Sequence, residues 1–270
     1  LVIKIVLQTV SLRNGKMTAE RRNNVNQIVL TGMVLSTTPV GEYDRRVVLL
    51  TKEQGKVSAF AKGSRRPNSP LIGVVNPFTF GEFTMYEGRS SYTIQSAKVI
   101  NYFSELREDV LGAYYGFYFL EVANYYAREF NDELEMLKLL YQTMRALTNP
   151  HIPDALIRCI YELKILTING QGPQVFQCVN CGNKAETAVF SVGRGGLVCG
   201  TCAGEVRDGI RLAPSTLYSM QYIESSKVEH LYTFNVKPEI LQQLSKVTER
   251  LMGLYVVRKF KSLEILETLL

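Results

Sequence analysis

The stretch Arg46-Val47-Val48-Leu49-Leu50-Thr51-Lys52-Glu53-Gln54-Gly55-Lys56-Val57-Ser58-Ala59-Phe60-Ala61-Lys62 reads as a β-hairpin. Arg46 to Thr51 is an apolar strand, Glu53-Gln54-Gly55-Lys56 supplies a polar turn with a glycine, and Val57 to Lys62 alternates on the far side. If Val57, Ala59 and Ala61 face inward, the two-residue period sends Lys62 to the other face. Phe60 is read as a core residue. Ile28 to Thr38, rich in Val, Leu and Thr, predicts a preceding strand. Pro77 to Tyr86 and Ser91 to Ile100, joined by the turn Glu87-Gly88-Arg89-Ser90, predict two more. Five strands within about 75 residues suit a small closed barrel.

The hairpin also carries the charge. The chain has a net charge of +6, yet residues 43–72 alone hold +5. Arg45, Arg46, Lys52, Lys56, Lys62, Arg65 and Arg66 are opposed there only by Asp44 and Glu53. Such an excess attracts polyanions through Coulomb steering and counterion release. On charge alone, a solvated basic face fits as well. Lys56, Lys62, Arg65 and Arg66 are the expected centre of an anion-binding surface, with Arg45, Arg46 and Arg89 at its margins. Asp44 and Glu53 are alternative ion-pair partners for Arg46.

From Ser104 the period changes to helical: Leu106, Val110, Tyr114 and Phe117 begin it, and Leu134 to Leu147 and Ile152 to Ile168 repeat it. The aromatic run Tyr114, Tyr115, Phe117, Tyr118 and Phe119 sits at core spacing rather than as a base-stacking surface. Helices resume over Pro214 to Glu224 and Pro238 to Phe260. The fold class is therefore α+β: an extension over 1–24 expected to be poorly ordered, a barrel over 25–103, and a helical region over 104–270 interrupted by an insert at 176–204. Met17 is a plausible alternative start, which would set residues 1–16 outside the native protein. The opening Leu-Val-Ile-Lys-Ile-Val-Leu is too short to span a bilayer and does not read as a signal peptide, so a cytoplasmic protein without membrane contact is expected.

The insert holds two C-x2-C pairs, Cys178/Cys181 and Cys199/Cys202, with seventeen residues between them. That spacing is a zinc pattern: each knuckle aims two thiolates at one point, and two knuckles close a tetrahedral four-sulfur shell. The four cysteines fill such a shell by themselves and leave no catalytic position open, so one structural zinc per chain is expected, with iron as an alternative metal. Disulfides fit poorly without a secretion signal, and a redox site would use a single C-x-x-C in a βαβ setting. Cys159, in an apolar helical stretch, reads as a buried thiol. The two histidines, His151 and His230, adjoin no nucleophile motif. No phosphate-binding glycine loop and no acidic cluster fit for magnesium appear. No catalytic residue is assigned, and the chain is not expected to be an enzyme.

The run Tyr43-Asp44-Arg45-Arg46, then Thr51-Lys52-Glu53-Gln54-Gly55-Lys56, then Ala61-Lys62-Gly63-Ser64-Arg65-Arg66-Pro67 resembles the N-terminal part of the RecO family. Pro77-Phe78, Gly81-Glu82-Phe83, the segment Ala97 to Arg107, both cysteine pairs and Leu212-Ala213-Pro214 continue the resemblance in order, over roughly Val29 to Lys261. It implies an OB-fold joined to a helical domain that bears a zinc element. It implies a nucleoid-associated DNA repair and recombination mediator that binds single- and double-stranded DNA and anneals complementary strands. It further implies contacts with RecR and with the acidic C-terminal tail of single-strand-binding protein, so that RecA can load. Arg128, Lys138 and Arg158 are candidate cations for that tail, placed on the helices. The alternative is a zinc-ribbon scaffold or interaction module with no direct DNA role; only Lys184 and Arg194 are cationic between Gln177 and Ala203, which disfavours it.

Overall fold

The computed structural model describes residues 26–89, 91–184 and 188–270; the predicted extension over 1–24 lies outside them. Strands β1 (Asn26–Val40), β2 (Asp44–Thr51), β3 (Gly55–Ala61), β4 (Phe80–Glu87) and β5 (Tyr92–Asn101) form a closed barrel in the order β1-β2-β3-β5-β4. This is the strand order of an OB-fold. β1 is long enough to serve two partners: Asn26 to Met33 pair with β4, and Gly32 to Val40 pair with β2. A register shift between Val34 and Ser36 bends it from one neighbour to the other. Closure is completed by a short parallel pairing of β3 with β5.

Alternation along the strands produces two cores. Leu30, Val34, Val47, Leu49, Val57, Ala59, Ala61, Phe83, Met85 and Ile94 fill the barrel, and Leu71 and Val75 from the β3–β4 connection plug it. Met33, Leu35 and Leu50 face outward and join the helical core. Phe60 is not the core residue its hydrophobicity predicts: it is only half-buried and belongs to neither core, because it shares the outward parity of Lys56 and Ser58.

Glycine is required where strands cross most closely. Gly32 faces Gly81 across β1 and β4. A Cβ at Gly81 would lie 2.5 Å from the Lys98 carbonyl oxygen and 2.9 Å from the Val99 Cα.

The helices are α1 (Val110–Tyr126), α2 (Leu134–Leu147), α3 (Asp154–Ile168), α4 (Pro214–Ser225), α5 (Pro238–Tyr255) and α6 (Lys261–Leu269). Asp109 caps α1 by accepting the Leu111 N–H at 3.1 Å. Tyr115, Tyr118 and Phe119 are buried, as the helical spacing implies. The helix expected over Pro238 to Phe260 ends instead at Tyr255. Phe260 leaves the helical path to stand edge-on to Tyr118 and Tyr125, at ring separations of 5.6 and 6.1 Å, and α6 starts after it. The β-branched pair Val256-Val257 favours the break. Among the described residues no helix is long and apolar enough to cross a membrane.

The insert is rooted between α3 and α4. It carries its own sheet, ordered β7 (Gly196–Cys199), β6 (Ala188–Ser191), β8 (Ile210–Arg211), strands too short to show alternation in the sequence. At its root Lys164 Nζ donates to the carbonyls of Ile223, Glu224 and Ser226 and so closes the end of α4. The neighbouring Glu224 accepts from Thr167 Oγ1 at 2.7 Å.

Two stability predictions follow from this packing. Gly81→Ala is expected to cost about 1–3 kcal/mol, since backbone must move to admit the methyl; urea unfolding at constant m-value measures it. Burial drives the Glu224 carboxyl from 4.5 up to about 7, against the opposing pull of Thr167 and Lys164. A raised folded-state pKa means the proton is held more tightly in the fold, so this contribution is full below 4.5 and is lost as pH rises through about 7. Glu224→Gln should therefore gain stability relative to wild type as pH rises across that window. A pH-independent difference between the two denaturation midpoints would refute the assignment.

Candidate nucleic-acid interface and metal centre

The four insert cysteines meet at one point. Cys178 and Cys181 form a knuckle before β6, and Cys199 ends β7 with Cys202 just beyond. Gly182 takes φ +74° and donates its N–H to the Cys178 carbonyl, which turns the first knuckle; Cys202 N–H donates to the Cys199 carbonyl in the second. All four sulfurs lie within 4.8 Å of one another, and Cys181 and Cys199 Sγ are 3.7 Å apart. A tetrahedral shell with metal–sulfur bonds of about 2.3 Å spaces its sulfurs about 3.8 Å apart, so the donor set fits a four-coordinate metal. The Cys199 N–H, 3.3 Å from Cys178 Sγ, helps draw that thiol down to about 6. Hydrogen bonding to Cys199 within the crowded set pushes Cys202 up to about 12. Cys159 is not part of this centre: it is buried beside Ser245 and Thr248, and burial raises its thiol to about 11.

The expected cations fall into three places. Lys56, Ser58, Phe60 and Lys62 follow one another along the outward side of β3 and its end, and Lys62 is exposed. Six extended residues put Lys56 and Lys62 roughly 20 Å apart, so they mark two ends of a strip rather than one point. At the Lys62 end, Arg65 and Arg66 are exposed. Arg65 Nη1 donates to the Gly41 carbonyl at 3.2 Å, and the Arg66 guanidinium lies 4.9 Å above the Tyr43 ring. Arg46 sits midway, its Nε donating to Ser58 Oγ at 2.8 Å. Neither carboxylate considered for it is its partner: Asp44 accepts the Gly63 N–H and Glu53 the Thr31 N–H. At the other end, Lys56 Nζ donates to the Asn124 carbonyl of α1, and burial lowers its pKa. Arg89 lines a cleft that also contains Lys56. Arg45 stands apart. It has the inward parity of Val47 and binds the Ile72 carbonyl and Asn76 Oδ1, closing the barrel's end.

Two aromatic residues extend this surface beyond the predicted set. Phe60 lies on the outward strip between Lys56 and Lys62. Phe130, in the α1–α2 connection, is 79% exposed with φ +58°, a conformation that costs a non-glycine residue about 1–2 kcal/mol. The parity that sends Lys62 outward identifies Phe60; no local pattern marks Phe130.

Arg128, expected on a helix, lies instead just past the end of α1 in the α1–α2 connection, where it binds the Tyr125 and Ala127 carbonyls; Lys138, on α2, pairs with Glu135 at 2.6 Å. Arg158 pairs with the buried Glu162 at 2.7 Å, beneath a cleft of about 280 Å³ that includes Met252, Val256, Phe260 and Leu263.

An OB barrel packed on helices, with a four-cysteine metal-site insert between α3 and α4, defines an α+β class of OB-fold protein. Family models described as recombination protein O N terminal and recombination protein O C terminal match residues 25–103 and 107–264. The chain belongs to the RecO family. It is 32% identical to DNA repair protein RecO of Alkaliphilus metalliredigens, over 87% of this chain and 96% of that one. The RecO of Bacillus subtilis is 29% identical, over 84% and 91% of the two chains. That of Acetivibrio thermocellus is 27% identical, over 91% and 98%.

Protein purified without chelator is expected to carry about one metal ion per chain. The Cys178→Ala, Cys181→Ala double variant should lose it and melt at lower temperature, because metal binding and folding of the insert are coupled. Full metal retention by that variant, measured by elemental analysis, would overturn the assignment.

Proposed function

We propose that this chain is a non-enzymatic DNA repair and recombination mediator. It binds single- and double-stranded DNA, anneals complementary strands, and helps load RecA onto DNA coated by single-strand-binding protein, in concert with RecR, in the cytoplasm at the nucleoid. The observation that carries the reading is the alignment of Lys56, Lys62, Arg65 and Arg66 along and beyond the outward side of β3, with Arg46 of the neighbouring β2 beside Ser58. A strip of cations on a rigid strand tracks a phosphate backbone, and half-buried Phe60 between them supplies apolar surface. Phosphate contacts position without reading bases, so little sequence preference is expected.

The metal in this reading is zinc, and its role is structural. Four thiolates fill a tetrahedral shell and leave no position for a reacting water. For the acidic, apolar-ended tail of single-strand-binding protein, the cleft near Arg158 offers Met252, Val256, Phe260 and Leu263 with Arg258 and Lys259 beside them. Glu249, Glu264 and Glu267 also line that cleft, which favours a tail that enters by its apolar end. Calorimetry with the tail peptide tests this; absence of heat from wild type at low salt counts against it.

The DNA reading is tested by anisotropy salt titration of a Lys62→Ala, Arg65→Ala, Arg66→Ala variant. Its log–log salt slope is expected to fall by about 0.7 per phosphate contact removed on mixed-sequence single strands and by about 0.9 on duplex. Arg45→Ala is expected to lower stability and leave the slope untouched. A folded, metal-loaded triple variant with unchanged affinity and slope would move the binding face elsewhere.

A further inference from the structure

We infer that Phe130 is a base-stacking platform for single-stranded nucleic acid, set at the Lys56 end of the cationic strip; the inference rests on the DNA-binding reading above. The α1–α2 connection is built onto the β2–β3 hairpin. Lys56 N–H donates to the Arg128 carbonyl at 2.9 Å, Phe130 N–H donates to the Gln54 carbonyl at 3.0 Å, and Gly55 bridges to Glu129 between them. Gly55, at φ +64°, admits this approach because a Cβ there would meet the Arg128 and Asn131 carbonyl oxygens at 2.5 and 2.6 Å. Glu133, almost fully buried, ties the same connection by accepting from Arg128 N–H and Asn131 Nδ2, both at 3.0 Å.

These bonds hold Phe130 in the left-handed region, with the residue 79% exposed. No ring pair among the described residues includes it, and it is the most exposed phenylalanine among them. A non-glycine residue held at φ +58° is a backbone outlier of the kind that clusters at binding sites. The ring borders a cleft of about 330 Å³ shared with Lys56, Ser58, Arg89 and Tyr92. Glu87 and Glu129 line the cleft too. Their charge disfavours phosphate directly over the ring and favours the uncharged base there, with the flanking phosphates on Lys56 and Arg89. A duplex keeps its bases stacked on one another and cannot use the ring in this way.

The chain has no tryptophan, so Phe130→Trp creates a single selective fluorophore at the site. Its emission is expected to change on adding oligothymidylate and to stay unchanged on adding blunt duplex. Phe130→Gly removes the ring while accepting φ +58° without strain, so it should fold at least as stably as wild type. It is expected to bind oligothymidylate about tenfold or more weakly and duplex as wild type does. Wild type that bound neither ligand would sink the DNA-binding reading itself. Wild-type binding to oligothymidylate, with Phe130→Gly equally tight or the tryptophan signal indifferent to it, overturns the stacking role alone.

Discussion

The structure depends on burial of both faces of the β1–β2 pair. Leu30, Val34, Val47 and Leu49 fill the barrel while Met33, Leu35 and Leu50 on the same strands enter the helical core. A small barrel buries limited apolar area by itself; sharing its outer face with α1 and α2 gives the strands a second hydrophobic contact. The consequence is geometric. The helices cover part of the outer wall, and what remains open on β3 is a narrow strip. Lys56 lies at the seam, with its Nζ on the α1 backbone. Cations on that strip are therefore mounted on elements that cannot shift without breaking a core.

Much of this was legible in the sequence. Leu134 to Leu147 is a helix with those same ends, and the hairpin turn falls at Glu53 to Gly55 as its residues demand. Local chemistry decides both: helical spacing in one case, a glycine at φ +64° in the other. The cysteine pairs were legible for a similar reason, since two C-x2-C knuckles leave few ways to arrange four sulfurs. What escaped is non-local. The strand-like pairing of Arg128 to Phe130 with the hairpin joins residues more than seventy positions apart, and neither partner advertises the other. The break before Phe260 is set by Tyr118 and Tyr125 on another helix. Phe60 is a different case: the alternation that sends Lys62 outward sends Phe60 outward as well, and its hydrophobicity masked the parity.

The same parity separates the adjacent Arg45 and Arg46. One residue of register turns Arg45 toward the barrel's end, where Ile72 and Asn76 engage it, and Arg46 to the outer strip beside Ser58. A charge count over residues 43–72 treats them as equal. The pleat does not. The excess of +5 in that segment therefore overstates what is available to a polyanion, and the usable field is concentrated along β3 and the Gly63–Arg66 loop. The Tyr43 ring under Arg66 and the Gly41 carbonyl at Arg65 restrain two of its long side chains, which reduces the conformational entropy lost when a phosphate is met.

The proposed annealing role would have a physical basis in such a surface. Annealing requires that a single strand be held with its pairing edges free. Hydrogen-bonded base readout would occupy those edges, whereas cations along a strand hold the phosphates, and an aromatic ring engages only a base's flat face. Two strands gripped in this manner still present complementary edges, and the duplex they form loses its stacking contact with protein. Under the proposed role, bases would leave the protein for one another, and product release would be coupled to pairing. The acidic residues beside the cleft, Glu87 and Glu129, would act in the same direction in that role: their charge interrupts the cationic strip, so that a paired product would not be retained by charge alone.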